Sequence, residues 1–527
     1  MTRHGFRPVQ FQTNVAPIEA INEVKIDGGM NVYIDPADLP NNVLTLARNV
    51  QVSSDRLVRV AGSAAITPTK PDSNRPITLY VFQRFSGTSL FLRFTQTALQ
   101  LRGISSWTTL TTSNAFSLAA TDRIRVLPFN DRLFFVTGYN NIYEAEFSGN
   151  TYNFLGNAPR YKYITGFFNR IVGANLYDAS TPNPTLVGWS GDLNFSQWSP
   201  ATDISAGSTP LLEGAGDFAD PITGLFGFAS VMLILRERSL WTASKRPVAS
   251  SPFSFQAAFP SVGCDCPNTA TQKRNGLVWY DYRSNQVYDY TLGGRPVEIG
   301  DPVKNLIQSR INSKELPIGN YSPITDEYVL TIPGVTTTTT YAYIYKFSSG
   351  QWTERTIESC NGVYPLDGFS VGLTINDLNG SINALAGTIN NLSGVTSNPP
   401  ATFFAMYNGD ILKSDINLDS DAGATLESNL TSKVYKFPDR AFFITRIRFS
   451  YQCSREGSFV VEYNKGNGWV TLKTISASIA ELNTRRRVTI VKNIRAREFQ
   501  WRIRTSSGSF EFLDYSLDIS PSDFGKI

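Results

Sequence analysis

One histidine, His4, stands in 527 residues, and that count narrows the available chemistry at once. Ser-His-Asp and Cys-His nucleophile systems need an imidazole to take the proton, and a HExxH zinc site needs two. With His4 the lone imidazole, near the N-terminus, the multi-histidine metal sites are ruled out and the single-histidine nucleophile systems are nearly excluded. The four cysteines are Cys264, Cys266, Cys360 and Cys453. Cys264-Asp265-Cys266 leaves a single residue between thiols, shorter than the spacing of a zinc knuckle, and no second pair follows. So few cysteines in so long a chain are no disulfide framework and read as reduced thiols. Carboxylates could hydrolyse glycosides without histidine, and Asp217, Asp220 and Glu237 are candidates of that kind. Gly28-Gly29 and Gly293-Gly294 do not sit between a strand and a helix, so they read as turns and not as phosphate-cradling loops. No cofactor and no metal is expected.

Basic residues gather toward the C-terminus: Arg485, Arg486, Arg487, Lys492, Arg495, Arg497, Arg502 and Arg504. Arg485, Arg486, Arg487, Arg495 and Arg497 are the candidate patch facing an acidic partner or DNA phosphates. Glu481, Glu498 and Glu511 interleave with them, which equally fits the solvated face of strands. Ser190-Gly-Asp-Leu-Asn-Phe-Ser-Gln-Trp198 is similar to the Asp-box of sialidase propellers. It lacks the central glycine and spaces Ser and Trp one residue too far, so Trp189 and Trp198 read as packing residues.

The elements that would position these groups are strands. Charged residues make up 17% and aromatics 12%, a balance of strands and turns rather than of exposed helices. Short apolar runs pair with alternating ones along residues 41–370. Leu133-Phe-Phe-Val136 is followed by Tyr143-Glu-Ala-Glu146, and similar pairs recur at Ile77–Phe94, Phe167–Val172, Phe228–Thr242, Asn275–Tyr290 and Glu327–Phe347. A multi-strand unit every 40–50 residues or so is the spacing of a β-propeller blade. About six units are visible, which predicts a ring of about six blades, to within one blade or so. Asp178–Asp220, rich in Pro, Gly, Ser and Thr, reads as an insertion. The strand Asp55–Val60 is expected to lock the ring by pairing with the last blade, through Leu57, Val58 and Val60.

Residues 1–40 read as an N-terminal arm and residues 371–400 as a linker. The linker carries three heptads, with Ile375, Ile382 and Ile389 at one position and Leu378, Leu385 and Leu392 at another. That is a coiled-coil spacing, opposed by Gly380, Gly387 and Gly394, so a turn-rich connector is expected. Residues 401–527 alternate cleanly. Phe443, Ile447, Phe449, Trp501, Ile503, Leu513, Tyr515 and Leu517 are the predicted core of an independent C-terminal β-sandwich. The fold class is therefore all-β, a propeller followed by a sandwich.

The N-terminal residues have no apolar h-region, so a signal peptide is not expected. The longest apolar stretch, Leu225–Leu235, is too short to span a bilayer, and no membrane insertion is expected. Net charge is +4.

Several phrases point to a family. They include Gly28-Gly-Met-Asn31, Asp35-Pro36, Leu46-Ala-Arg-Asn-Val50, Asp55-Arg-Leu-Val-Arg59 and Phe168-Asn-Arg-Ile-Val172. Others are Pro252-Phe-Ser-Phe255, Gly276-Leu-Val-Trp279, Asp326-Glu-Tyr-Val-Leu330, Gly350-Gln-Trp-Thr353, Met406-Tyr-Asn-Gly409 and Ala424-Thr-Leu-Glu-Ser428. Together they resemble the tail-nozzle, or packaged-DNA stabilisation, proteins of short-tailed bacteriophages. The resemblance implies a structural, non-enzymatic subunit of the virion tail, in a ring of six copies beneath the portal and adaptor. Its partners would be itself, the portal or adaptor, tail fibre, spike or needle proteins, and double-stranded DNA in transit. A tail-associated propeller glycosidase and a receptor-binding adhesin are the competing readings.

Overall fold

The computed structural model describes residues 19–521, apart from 54, 104, 179–180, 213–219, 335–338, 367–368, 372–395, 399 and 437–440. The heptads of the linker lie outside the described residues. The chain folds as two compact units. One comprises Met30–Tyr33 and Val60–Leu426; the other comprises the described residues up to Gly29, Ile34–Arg59 and the chain from Glu427 onward.

The larger unit is a β-propeller. Among the described residues it contains seven runs of four antiparallel strands, five as separate four-stranded sheets and two within larger sheets, one more than the units legible in the sequence. Blade 1 is Thr78–Gln83, Ser89–Phe94, Leu99–Arg102 and Trp107–Thr109. Blade 2 is Arg125–Phe129, Arg132–Val136, Tyr143–Glu146 and Thr151–Phe154. Blade 3 is Tyr161–Phe167, Arg170–Leu176, Asn183–Trp189 and Gly207–Pro210. Blade 4 is Ile222–Gly227, Val231–Arg236, Leu240–Lys245 and Phe253–Phe259. Blade 5 is Thr271–Lys273, Gly276–Asp281, Gln286–Thr291 and Val297–Glu298. Blade 6 is Ile318–Ser322, Glu327–Ile332, Thr339–Lys346 and Gln351–Glu358. Blade 7 is Cys360–Leu366, Ala401–Met406, Ile411–Asp415 and Gly62–Ala65.

The second strand of a blade is covered on both faces, which is why Leu133–Val136, Met232–Leu235 and Leu277–Tyr280 are continuously apolar and buried. Apolar clusters fill the gaps between neighbours. Phe94, Phe116 and Phe135 pack blade 1 on blade 2, and Trp189, Phe253 and Met232 pack blade 3 on blade 4. Tyr328 of blade 6 donates its hydroxyl to the Thr269 carbonyl at the start of blade 5. Ile66, Leu79, Phe91 and Phe403 pack blade 7 on blade 1, so the ring is closed.

Three expectations are corrected here. The stretch Asp178–Asp220 is no mere insertion, because Asn183–Trp189 and Gly207–Pro210 are the outer strands of blade 3. The seventh blade escaped the sequence because the segment at 371–400 interrupts it between its first and second strands. The expected propeller boundary at 370 therefore falls inside a blade, and 401–426 belongs to the propeller.

The closing strand is also different. Ring closure does use an N-terminal strand, but it is Gly62–Ala65 pairing with Ile411–Asp415, Ser63 opposite Ser414. Arg56–Arg59 instead pairs with Ser509–Pro521 in the other unit, where Leu57 is fully buried opposite Phe512. Gly-Ser-Ala-Ala has no apolar alternation to betray it. Its glycine is required by space: a Cβ at Gly62 would come within 2.5 Å of the Ser420 carbonyl oxygen.

The smaller unit is a β-sandwich. One sheet runs Val50–Ser53, Arg56–Arg59, Ser509–Pro521, Phe442–Arg455, Arg486–Ala496, with Glu19–Lys25 also on Ser509–Pro521. The other runs Leu46–Arg48, Ser428–Thr431, Glu498–Thr505, Gly457–Asn464, Trp469–Ala477. The expected boundaries at 40 and 401 thus give way. The sandwich takes strands from both ends of the chain, so residues 401–527 are not a complete folding unit.

Ile447, Phe449, Trp501, Ile503, Tyr515 and Leu517 are buried as expected. Trp501 packs on Phe449 at 5.1 Å and Tyr515 at 4.9 Å between ring centroids. Phe443 and Leu513 are only half-buried, and Phe442, Ile444 and Phe512 point inward in their place. The cause is register: bulges between Ile444 and Arg446 and between Ser450 and Tyr451 each shift the alternation.

Candidate functional site

The first strand of every blade faces the propeller axis, and together these strands enclose a bore of about 600 Å³. Its wall includes Tyr80 of blade 1, Arg125 of blade 2, Tyr163 of blade 3, Thr223 of blade 4, Asn320 of blade 6 and Tyr364 of blade 7. The volume falls in the range of small-molecule cavities. A double helix, whose major groove alone is about 12 Å wide, does not fit.

Where the innermost strands begin, a second cavity of about 240 Å³ opens at the mouth, and Arg125 borders both. The Arg125 Nη2 donates to the Pro267 carbonyl at 2.6 Å and to Asn268 Oδ1 at 2.8 Å, joining blade 2 to the segment leading into blade 5. Its guanidinium also lies 5.7 Å from the centre of the Tyr163 ring. Arg123 Nη1 donates to the Asp122 carbonyl at 2.8 Å, and its Nη2 reaches Asn361 Oδ1 of blade 7 at 3.5 Å. Arg75 bonds the Ala120 carbonyl and stands over Tyr407 at 5.2 Å.

Burial lowers the affinity of Arg123 and Arg125 for their protons, and the neighbouring Arg75 adds to the effect on Arg123. The same burial lifts the Tyr163 phenol to about 12. Tyr139 is also pushed up to about 12, by burial first and then by its hydrogen bond to Asp122 Oδ1 at 3.0 Å. The phenols therefore remain neutral hydroxyl donors near neutral pH. Arg123 and Arg125 stand two residues apart, but Arg75 and the partners Pro267, Asn268 and Asn361 lie on distant segments, so sequence inspection missed the group.

The carboxylates singled out in the sequence do not form a catalytic pair. Asp220 is buried against Arg236 at 3.4 Å, and accepts bonds from Ser239 Oγ at 2.6 Å and the Arg238 amide at 2.8 Å. Glu237 pairs with Lys314 at 3.8 Å, and Asp217 lies outside the described residues. Among the described residues, the wall of the bore contains no Asp or Glu. In the segment similar to an Asp-box, Ser190 Oγ accepts the Ile171 amide and Trp198 Nε1 donates to the Phe195 carbonyl, both local packing roles.

Cys264 and Cys266 are buried free thiols, held protonated by that burial. Among the described residues no group of His, Cys, Asp and Glu could hold a metal ion. No helix among them is long and apolar enough to cross a membrane.

The basic patch lies at the start and end of the edge strand Arg486–Ala496 of the sandwich. Arg485 pairs with Asp514 at 2.6 Å, Arg487 with Glu23 at 3.0 Å and Arg486 with Glu481 at 3.7 Å. Arg495 and Arg497 are exposed. The five residues thus divide into three that are ion-paired within the unit and two that face solvent. Arg502 and Arg504, further along the basic run, both bond the nearly buried Glu462.

No family model matches the chain, and no curated protein does. Solved structures match at low similarity. A quinoprotein alcohol dehydrogenase-like protein from Bacteroides thetaiotaomicron is 8% identical, with a TM-score of 0.31 over 53% of this chain and 65% of that one. The chain thus spans just under two thirds of that protein. The extracellular domain of a hybrid two-component system from B. thetaiotaomicron is 10% identical, with a TM-score of 0.33 over 87% of this chain and 63% of that one. An exo-β-1,3-galactanase from Phanerochaete chrysosporium is 7% identical, with a TM-score of 0.23 over 77% of this chain and 98% of that one. Likeness at this level transfers no activity.

Proposed function

We propose that the chain is a structural protein of a phage tail, several copies of which form a ring around the path of the exiting genome. The observation that carries this reading is the spread of nozzle-like phrases through both folding units, from Gly28-Gly-Met-Asn31 to Ala424-Thr-Leu-Glu-Ser428. The bore is too narrow for a duplex and is crossed by Arg125, so the DNA path runs between copies and not through a propeller. Head-to-tail contacts that close by rotation build such a ring, and six copies is the number the resemblance implies. A lining of both charge signs suits transit, because each phosphate neutralised by a fixed cation would hold the duplex back. The absence of Asp and Glu from the described wall of the bore weighs against a glycosidase centred there, since that reaction needs two carboxyl groups.

The test is assembly of particles without this protein, which should package DNA and then leak it or fail to eject it. Particles that retain and deliver their genomes normally overturn the reading. Release of reducing sugar from host polysaccharide by the purified chain would replace it with the depolymerase.

A further inference from the structure

We propose that the mouth of the propeller bore is a binding site for a small oxyanion, a carboxylate or phosphate carried on a molecule of about monosaccharide size. Arg123, Arg125 and Lys162 line one cavity of about 240 Å³ together with Thr121, Thr137 and Asn268. Three cationic groups share a small, partly desolvated space, and among the described residues none has a carboxylate within ion-pair distance. The carboxylates in the same wall are engaged elsewhere. Asp122 accepts from Tyr139 Oη at 3.0 Å and from the Ala119 amide at 2.7 Å, while Glu315 accepts from Ser313 Oγ.

Two further observations point at a ligand. The Nε of Arg123, which borders the cavity, is buried without a hydrogen-bond partner, so the cost of burying this guanidinium is only partly offset by its bonds to the Asp122 carbonyl and Asn361. Arg125, which borders the cavity, is anchored through Nη2, which fixes the plane of its guanidinium and leaves Nε and Nη1 outside those two bonds. A planar fork held in place is suited to two-point recognition of a carboxylate or phosphate. Around it, Tyr139, Thr137 and Asn268 line the cavity with neutral hydroxyl and amide groups, their donors held by Asp122, Asn140 and the Glu315 carbonyl. The size of the cavity excludes a duplex, so this site is separate from any contact with the genome.

Isothermal titration of the full-length protein with D-glucuronate, inorganic phosphate, D-glucose and a short DNA duplex tests the site. Glucuronate or phosphate should bind one per chain and weaken with added salt, and glucose should give no heat. The stronger of the two anions identifies the source, a sugar acid or a phosphate. Arg123→Gln combined with Arg125→Gln should weaken binding about ten-fold or more. Lys162 is half-buried in the cavity wall, and Lys162→Gln should weaken binding several-fold while leaving the melting temperature unchanged, which keeps the test valid if the double variant misfolds. Heat from neither anion, equal affinity in Lys162→Gln, equal binding of glucose, or competition by the duplex at the affinity of glucuronate would each overturn the proposal.

Discussion

Ser63 Oγ donates to Asp421 Oδ1 at 2.7 Å, and the same carboxylate oxygen accepts Arg355 Nη2 at 3.0 Å. Ser63 lies on the closing strand of blade 7 and Arg355 on the last strand of blade 6, so one aspartate fastens the closure to its neighbour. Asp421→Ala leaves the Arg355 guanidinium buried without this carboxylate. Loss of one partner of such a pair costs about 3–5 kcal/mol. A urea unfolding midpoint unchanged from wild type would show that the closure does not depend on this contact.

Trp501→Ala removes an indole that is 0% exposed and packed between Phe449 and Tyr515. The expected loss is about 3–5 kcal/mol, read from chemical denaturation of the full-length protein. A loss below about 1 kcal/mol would mean that the sandwich core closes up around the missing ring.

Glu462 is held below the usual carboxylate range, chiefly by the hydrogen bond from Arg504 and then by that from Arg502. Its carboxylate accepts Arg502 Nε at 2.7 Å and Arg504 Nε at 2.8 Å. A depressed folded pKa contributes stability that is complete above the unfolded value of about 4.5 and disappears as pH falls through the folded one. Glu462→Gln should therefore destabilise the protein by about 2 kcal/mol at neutral pH and flatten its acid dependence below about pH 4.5. Parallel pH–stability curves for the two proteins would assign the acid sensitivity to other groups.

The basic patch should split in two. Arg485→Ala strips Asp514 of a partner at 2.6 Å where that carboxylate is only 10% exposed, and should lower stability by about 1 kcal/mol. Arg495→Ala with Arg497→Ala removes solvent-facing groups and should stay within about 0.5 kcal/mol of wild type. Thermal melts of the two variants side by side decide this. If the double variant is the less stable one, Arg495 and Arg497 hold the fold and do not form a free surface.

Much of the fold is written in local patterns. Runs such as Leu133-Phe-Phe-Val136 beside Tyr143-Glu-Ala-Glu146 announce strands covered on two faces and on one, because burial selects apolar side chains residue by residue. The single histidine limits catalysis in the same direct way. Tertiary structure alone decided the seventh blade and the closing strand. Gly62-Ser-Ala-Ala65 closes the ring through backbone hydrogen bonds and tight space, neither of which marks a side-chain pattern. The facing of Phe442 and Phe443 was likewise hidden, since one extra residue in a bulge inverts every side chain beyond it. The arginine mouth was the least legible feature. Arg123 meets Asn361, and Arg125 meets Pro267 and Asn268, only because a closed ring brings distant segments to one axis.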